Sequence, residues 1–303
     1  MSTESTHDIH QEAREAVRAA AARRGRRRKW TGRLFFGALG LALLVAFIPL
    51  FSILENVITH GAHFLTWSFF TTGPGQPSLM DMNAVGGIAN ALVGTLVVLG
   101  LALAISVPVG LVCGLGLFEF DNRSTSLLRT ALAVLIGLPS ILFGLFIFLV
   151  MVRLHLAFSG ANGAVALSML MIPFIAINCE EALRHVPAMY REAGAALGAR
   201  RSRLMFHVLL PSARPRLVTG IFLALARASG ETAPVLFVIG ASNVARFSPG
   251  DQTTTLPTLI WQLLQSPFPS QRLECWGIAL VLLLGILAIN VVARVLLVRS
   301  ESR

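Results

Sequence analysis

The chain alternates long apolar runs with short polar stretches, and the lengths of the runs set its class. Six runs cover residues 34–53, 88–118, 127–152, 163–179, 217–240 and 276–298. Crossing a hydrocarbon core of about 30 Å takes roughly 17–25 apolar residues in a helix. Lipid offers no hydrogen-bond partner to a bare backbone, so the crossing segments must be helical. The pattern predicts an all-α integral membrane protein with six transmembrane helices. The second run exceeds one perpendicular crossing, so it tilts or extends beyond the bilayer. Gly110 and Gly114 within it form a GxxxG pair suited to close helix packing. The third run is interrupted by Leu138-Pro139-Ser140. Proline gives up a donor and crowds the carbonyl four residues back, near Leu135, which predicts a kink that is structural or lines a cavity.

Charge gives the runs a direction. Of 25 basic residues 24 are arginine, and all but four lie on one side if the N-terminus is inside. The inner segments hold 21, the outer ones Arg153, Arg246 and Arg272, and Arg227 falls within a span. That asymmetry predicts cytoplasmic N- and C-termini. Residues 55–87 carry no Lys or Arg but do carry Trp67, Phe69 and Phe70, as suits an outer loop near the headgroups. The 55% hydrophobic and 13% charged composition excludes an ordinary soluble domain, and the net charge of +10 reads as topology rather than as nucleic-acid binding.

Residues 1–33 are polar, Ala-rich and basic, and read as a mobile or surface-lying cytoplasmic tail. The run after it is too long for a signal peptide and lacks a small-residue cleavage site, so it is expected to be retained. The single lysine, Lys29, follows no glycine-rich loop, which excludes a Walker A site and places any ATP and Mg on another chain. Cys113, Cys179 and Cys275 form no CxxC and read as small buried hydrophobes rather than metal ligands.

The inner connection, residues 187–215, reads as two short helices. The Ala-rich run Glu192 to Leu197 favours helix, and Gly198 is a good stop. RSRLMFHVLL then starts a second helix ending at Pro211. Helices this short are marginal in water, so the knob is expected to need a partner or the membrane surface. At the end of the fourth span, Glu180 and Arg184 are four apart and can pair on one helical face, anchoring the interface.

This connection resembles the EAA motif of ABC importer permeases, carried here by Glu192, Ala193, Gly194 (for the second Ala), Gly198, Val208, Leu210 and Pro211. The resemblance implies a coupling loop that docks into a cytoplasmic ATPase. GGIANALVGTL, GLPSILFGLF, ALSMLMIPF with CEEALRHVP, and above all LARASGETAPVLF are similar to PstA-type permeases of phosphate ABC importers, over roughly residues 84 to 240. That implies a type I importer permease fold in a bacterial cytoplasmic (inner) membrane. It also implies inward movement of phosphate alongside a PstC-type second permease, a PstB-type ATPase dimer and a PstS-type extracytoplasmic binding protein. The chain would not itself be an enzyme. The EAA loop does not separate phosphate from sulfate or molybdate; the GETAP segment favours phosphate. A non-transporting scaffold or phosphate sensor is the alternative from another class.

The fifth run, residues 217–240, holds the charges of greatest interest. Arg227 lies ten residues beyond Leu217, about 15 Å along a helix, near mid-depth. Burying it there costs about 2.5–3.5 kcal/mol on insertion scales, so it must face a partner or a wet path. Glu231, one turn on, is expected on the same face. The pair either locks the bundle or lines the path, with phosphate displacing Glu231 from Arg227. Ser229 and Thr232 add hydroxyls, and Pro234 frees the carbonyl near Gly230, which favours a break beside the charges.

Overall fold

The computed structural model describes the backbone of residues 4–75, 85–120, 122–245 and 247–301, with side chains between 31 and 295 in those ranges. Two units divide the chain at Asn56 and Val57. The first is built on α1 (Glu4–Gly61), which carries the first apolar run and continues without interruption through the boundary expected at residue 33. The tail's side chains before Thr31, and with them its expected mobility, lie outside the described residues.

The second unit is all-α. After a single 3-10 turn (Ala62–Phe64) and a short helix α2 (Trp67–Thr71), its centre is α3 (Ala89–Glu119) packed along α6 (Gly160–Arg184). The GxxxG pair makes that approach possible. A Cβ on Gly110 would stand 2.7 Å from Ile175, and one on Gly114 would stand 2.5 Å from Cys179. Around this seam Val98, Ala102, Leu167, Met171 and Ile175 are buried. Residues without bulk let two backbones meet where lipid supplies no hydrophobic drive.

The third apolar run does not form one kinked span. It divides into α4 (Arg123–Gly137) and α5 (Ile141–Leu154), which meet at 102° across Leu138-Pro139-Ser140. Leu138 is extended, with ψ 141°, as the residue before a proline prefers. The expected kink is thus a full change of direction. Counting this pair as one span gives six crossings, and without it the described residues hold five helices long and apolar enough.

The inner connection contains α7 (Ala188–Ala196) and α8 (Arg201–Leu204). The second helix does not end at Pro211 as expected. It passes through a π-helical turn, Met205–Leu209, into α9 (Leu210–Ser229). The widened turn takes up one extra residue, with the Leu210 N–H donating to the Met205 carbonyl, and the ring of Pro211 is accommodated in the turn that follows.

The fifth span, expected to reach Gly240, stops at Ser229. Its continuation is a single turn, α10 (Ala233–Leu236), followed by an irregular stretch and α11 (Leu256–Leu264). The last helix, α12 (Pro269–Glu301), starts ahead of the expected residue 276. α9 packs against both α6 and α12.

Candidate functional site

Two regions hold the candidate residues: the knob formed by α7 and α8, and the helix break after α9.

In the knob, Gly198 has a positive φ, a left-handed conformation that glycine adopts without a side-chain penalty. The N–H of Gly198 donates to Ala195 O and that of Ala199 to Gly194 O, both at 3.0 Å, closing the end of α7. Gly194, the departure from the E-A-A pattern, has a local reason. A Cβ there would lie 2.6 Å from Leu204 Cδ1, so the space of the missing methyl is taken by the facing helix. The underside is anchored by Met205 and Leu209, buried with Leu183 and Val186 of the fourth span's inner end. Arg191 lies over the Phe118 ring at 4.6 Å, tying α7 to the end of α3. The outer side exposes large apolar groups, Met189, Tyr190, Leu197 and Phe206, with Leu197 at 87%. Glu192, Ala193 and Pro211 are exposed, and Val208 and Leu210 half-buried. Beside Gly198 a groove of about 780 Å³ is lined by Leu197, Arg200, Arg203, Phe206 and His207.

Above the knob, Glu180 is buried and held by two guanidinium groups. Arg129 of α4 reaches it at 2.6 Å and Arg184, one turn on, at 2.7 Å. Arg129 also donates to the Leu117 carbonyl of α3. One carboxylate therefore joins the inner ends of α3, α4 and α6. The Glu180–Arg184 pair fits the i,i+4 spacing, whereas the Arg129 contact joins two helices far apart in sequence.

At the break, Arg227 occupies the last turn of α9 rather than the middle of a helix. Measured from Leu210, where α9 begins, it stands about 26 Å along the axis. The helix C-terminus favours a cation. Gly230 N donates to Arg227 O and Glu231 N to Ala228 O, short-turn bonds that end the helix. Pro234 is part of the reason, because it disfavours helix through the carbonyl at Gly230. Once the helix ends, the one-turn spacing no longer places Glu231 on the face of Arg227, and no ion pair joins these two described residues. This corrects the expected pairing.

Each charge has other neighbours. The exposed Arg227 stacks its guanidinium 4.2 Å from the centroid of Phe174 on α6. Glu231 borders a small cavity of about 10 Å³ with Thr95, Ser229, Val235, Thr255 and Pro257, room for one water at most. Ser229 is buried and spends its hydroxyl proton on Ala226 O at 2.8 Å. Thr232 is half-buried at the start of α10. Pro234 is buried at Gly144 of α5, where any Cβ would collide with its backbone, so it packs α10 onto α5. Phe174 was not a sequence candidate. It belongs to the fourth span and Arg227 to the fifth, and no spacing rule links them.

The profile of one protein family, described as binding-protein-dependent transport system inner membrane component, matches residues 106–303. The probable phosphate transport system permease protein PstA of Methanocaldococcus jannaschii is 35% identical over 86% of this chain and 92% of its own length. The phosphate transport system permease protein PstA of Haemophilus influenzae is 32% identical over 88% and 94%. PstA 1 of Mycobacterium tuberculosis (strain H37Rv) is 37% identical over 83% and 82%. Among solved structures, an inward-facing MetNI methionine ABC transporter matches with TM-score 0.56 at 20% identity, over 72% of this chain and 95% of that one. An amino acid ABC transporter matches with TM-score 0.55 at 18% identity, over 70% and 93%. The structural matches bear on the fold alone and agree with the all-α importer architecture.

Proposed function

From the premise that this chain belongs to the binding-protein-dependent inner membrane transport components, and among them to the PstA-type permeases, we propose that Arg227 contacts phosphate on its way through the membrane. The chain is a multi-pass, non-catalytic permease subunit of an ABC importer. The observation that carries the proposal is a guanidinium stacked on Phe174 at the end of a broken helix, with no carboxylate paired to it among the described residues. Stacking occupies one face of the group and leaves its five edge N–H donors open. Those donors fit phosphate oxygens bidentately. Phe174 holds the planar group in place without supplying a competing anion. Glu231 then acts beside the path rather than as the counterion that phosphate must displace. Thr232 is a second donor near the break.

The knob converts ATP-driven motion into opening. Its exposed apolar crown of Met189, Tyr190, Leu197 and Phe206, around the EAA residues Glu192, Ala193 and Gly198, is suited to a cleft on a PstB-type ATPase. That ATPase binds the ATP and Mg. A PstC-type permease completes the pore and a PstS-type protein delivers phosphate. Gly198→Pro, whose ring cannot adopt the positive φ found there, should cut ATPase recovery on co-purification about tenfold. Unchanged recovery would sink the coupling assignment.

The direct test is labelled phosphate uptake by the assembled complex carrying Arg227→Ala. Hydrogen bonds to a charged group contribute about 1.5–3 kcal/mol, so uptake should fall roughly tenfold to a hundredfold with assembly intact. Uptake near that of the unmodified complex would overturn the proposal. Competition by excess sulfate or molybdate equal to that by unlabelled phosphate would transfer the assignment to another oxyanion.

A further inference from the structure

A crevice of about 560 Å³ opens between α11 and the outer end of α12, and it shares no lining residue with the cavity at the helix break or the groove of the knob. Its walls are Ile260, Leu264, Leu273, Trp276 and Ala279, and its one charged lining residue is Arg272. Charge asymmetry places this end of α12 outside, because Arg294 and Arg299 end the same helix inside. Depth then follows from helix geometry. Arg272 lies in the first turn, at headgroup level. Trp276 is one turn deeper, where amphipathic rings collect. Ala279 is ten residues past Pro269, about 15 Å along the helix and within the hydrocarbon.

Among the described residues, no carboxylate neutralises Arg272. The first turn of α12 has no acidic residue, and a helix start is itself the positive end. Glu274, two residues on, faces inward at 1% exposure and forms no ion pair with Arg272. Arg272 itself is exposed, as are Leu264 and Leu273. An apolar trough entering the membrane below one uncompensated guanidinium matches an amphiphile with an anionic head and an aliphatic tail. A water-soluble anion would leave the trough empty, and a zwitterionic lipid would bring a second cation beside Arg272.

We propose that this crevice binds one anionic phospholipid from the outer half of the bilayer. Its phosphate lies on Arg272 and one acyl chain lies along Ile260, Leu264, Trp276 and Ala279. The site is independent of the Arg227 path, so neither test decides the other.

The experiment is native mass spectrometry of the assembled complex released from nanodiscs of equal phosphatidylglycerol and phosphatidylcholine. The unmodified complex should retain one phosphatidylglycerol above the background of phosphatidylcholine. Arg272→Gln should lower that retention about tenfold, the loss expected for a charge-assisted phosphate contact. Ala279→Phe, which fills the trough and keeps the arginine, should lower it as well, and Arg153→Gln, another outer arginine, should not. Equal retention of both lipids, retention unchanged in Arg272→Gln, or displacement by inorganic phosphate alone would overturn the proposal. So would a crevice occluded by the second permease, seen as cross-linking of Leu264→Cys to that subunit with no lipid retained.

Discussion

Glu180 and Arg184 stand four residues apart, and so do Arg227 and Glu231, yet only the first pair closes. The difference lies in the backbone. α6 continues through residues 180 to 184 and keeps both side chains on one face. α9 stops at Ser229, between its two charges. Partners separate them further. Glu180 draws a second arginine from α4, while Arg227 turns to an aromatic ring and Glu231 to a small cavity. Spacing four residues apart is a statement about a helix, and it lapses where the helix does. One site is therefore built to stay closed and the other to leave a cation open.

Restoring the helix should break the contrast most strongly. Gly230→Ala with Pro234→Ala removes both residues that disfavour helix after Ser229. Extending α9 would bring Glu231 onto the face of Arg227, and uptake should fall about tenfold as the two charges pair. Full uptake, with circular dichroism showing added helix, would mean that the open arginine is not what matters.

The closed site should fail as a matter of stability rather than transport chemistry. Glu180→Ala strands two arginines at the inner ends of three helices. Breaking a buried pair costs about 3–5 kcal/mol. Arg129 and Arg184 are 41% and 58% exposed and regain water, so about 1–3 kcal/mol is expected in the unfolding of the purified complex. Arg184→Ala should cost far less, about 0.5 kcal/mol or below, since it leaves the Arg129 contact in place. Equal losses for the two variants would contradict the reading that the link between helices dominates.

The same contrast marks what the residues disclose before folding. The GxxxG pair, the stop at Gly198 and the run-by-run class were legible because each depends on local pattern. The end of the fifth span was legible in part. Pro234 pointed to a break near Gly230, and the helix stops at Ser229, but the apolar run continues to Gly240 and carried the expected span end there. α11 also went unread, since its short run falls well below the length of a span; its Thr255–Thr258 capping box and early proline were the available signs. The turn at Pro139 was visible as a kink but its 102° angle was not, because packing of α5 against α6 and α10 sets it. Of the candidate path residues, Arg227 and Glu231 could be named but not their partners. Phe174 and Arg129 arrive by tertiary contact alone.

The most direct measurement is a pair of double-mutant cycles on the stability of the assembled complex, Arg129 with Glu180 and Arg227 with Glu231. Coupling should be about 1–2 kcal/mol for the first and at most about 0.5 kcal/mol for the second. A coupling between Arg227 and Glu231 as large as that between Arg129 and Glu180 would mean that the arginine is locked, and would contradict the account of an open phosphate contact.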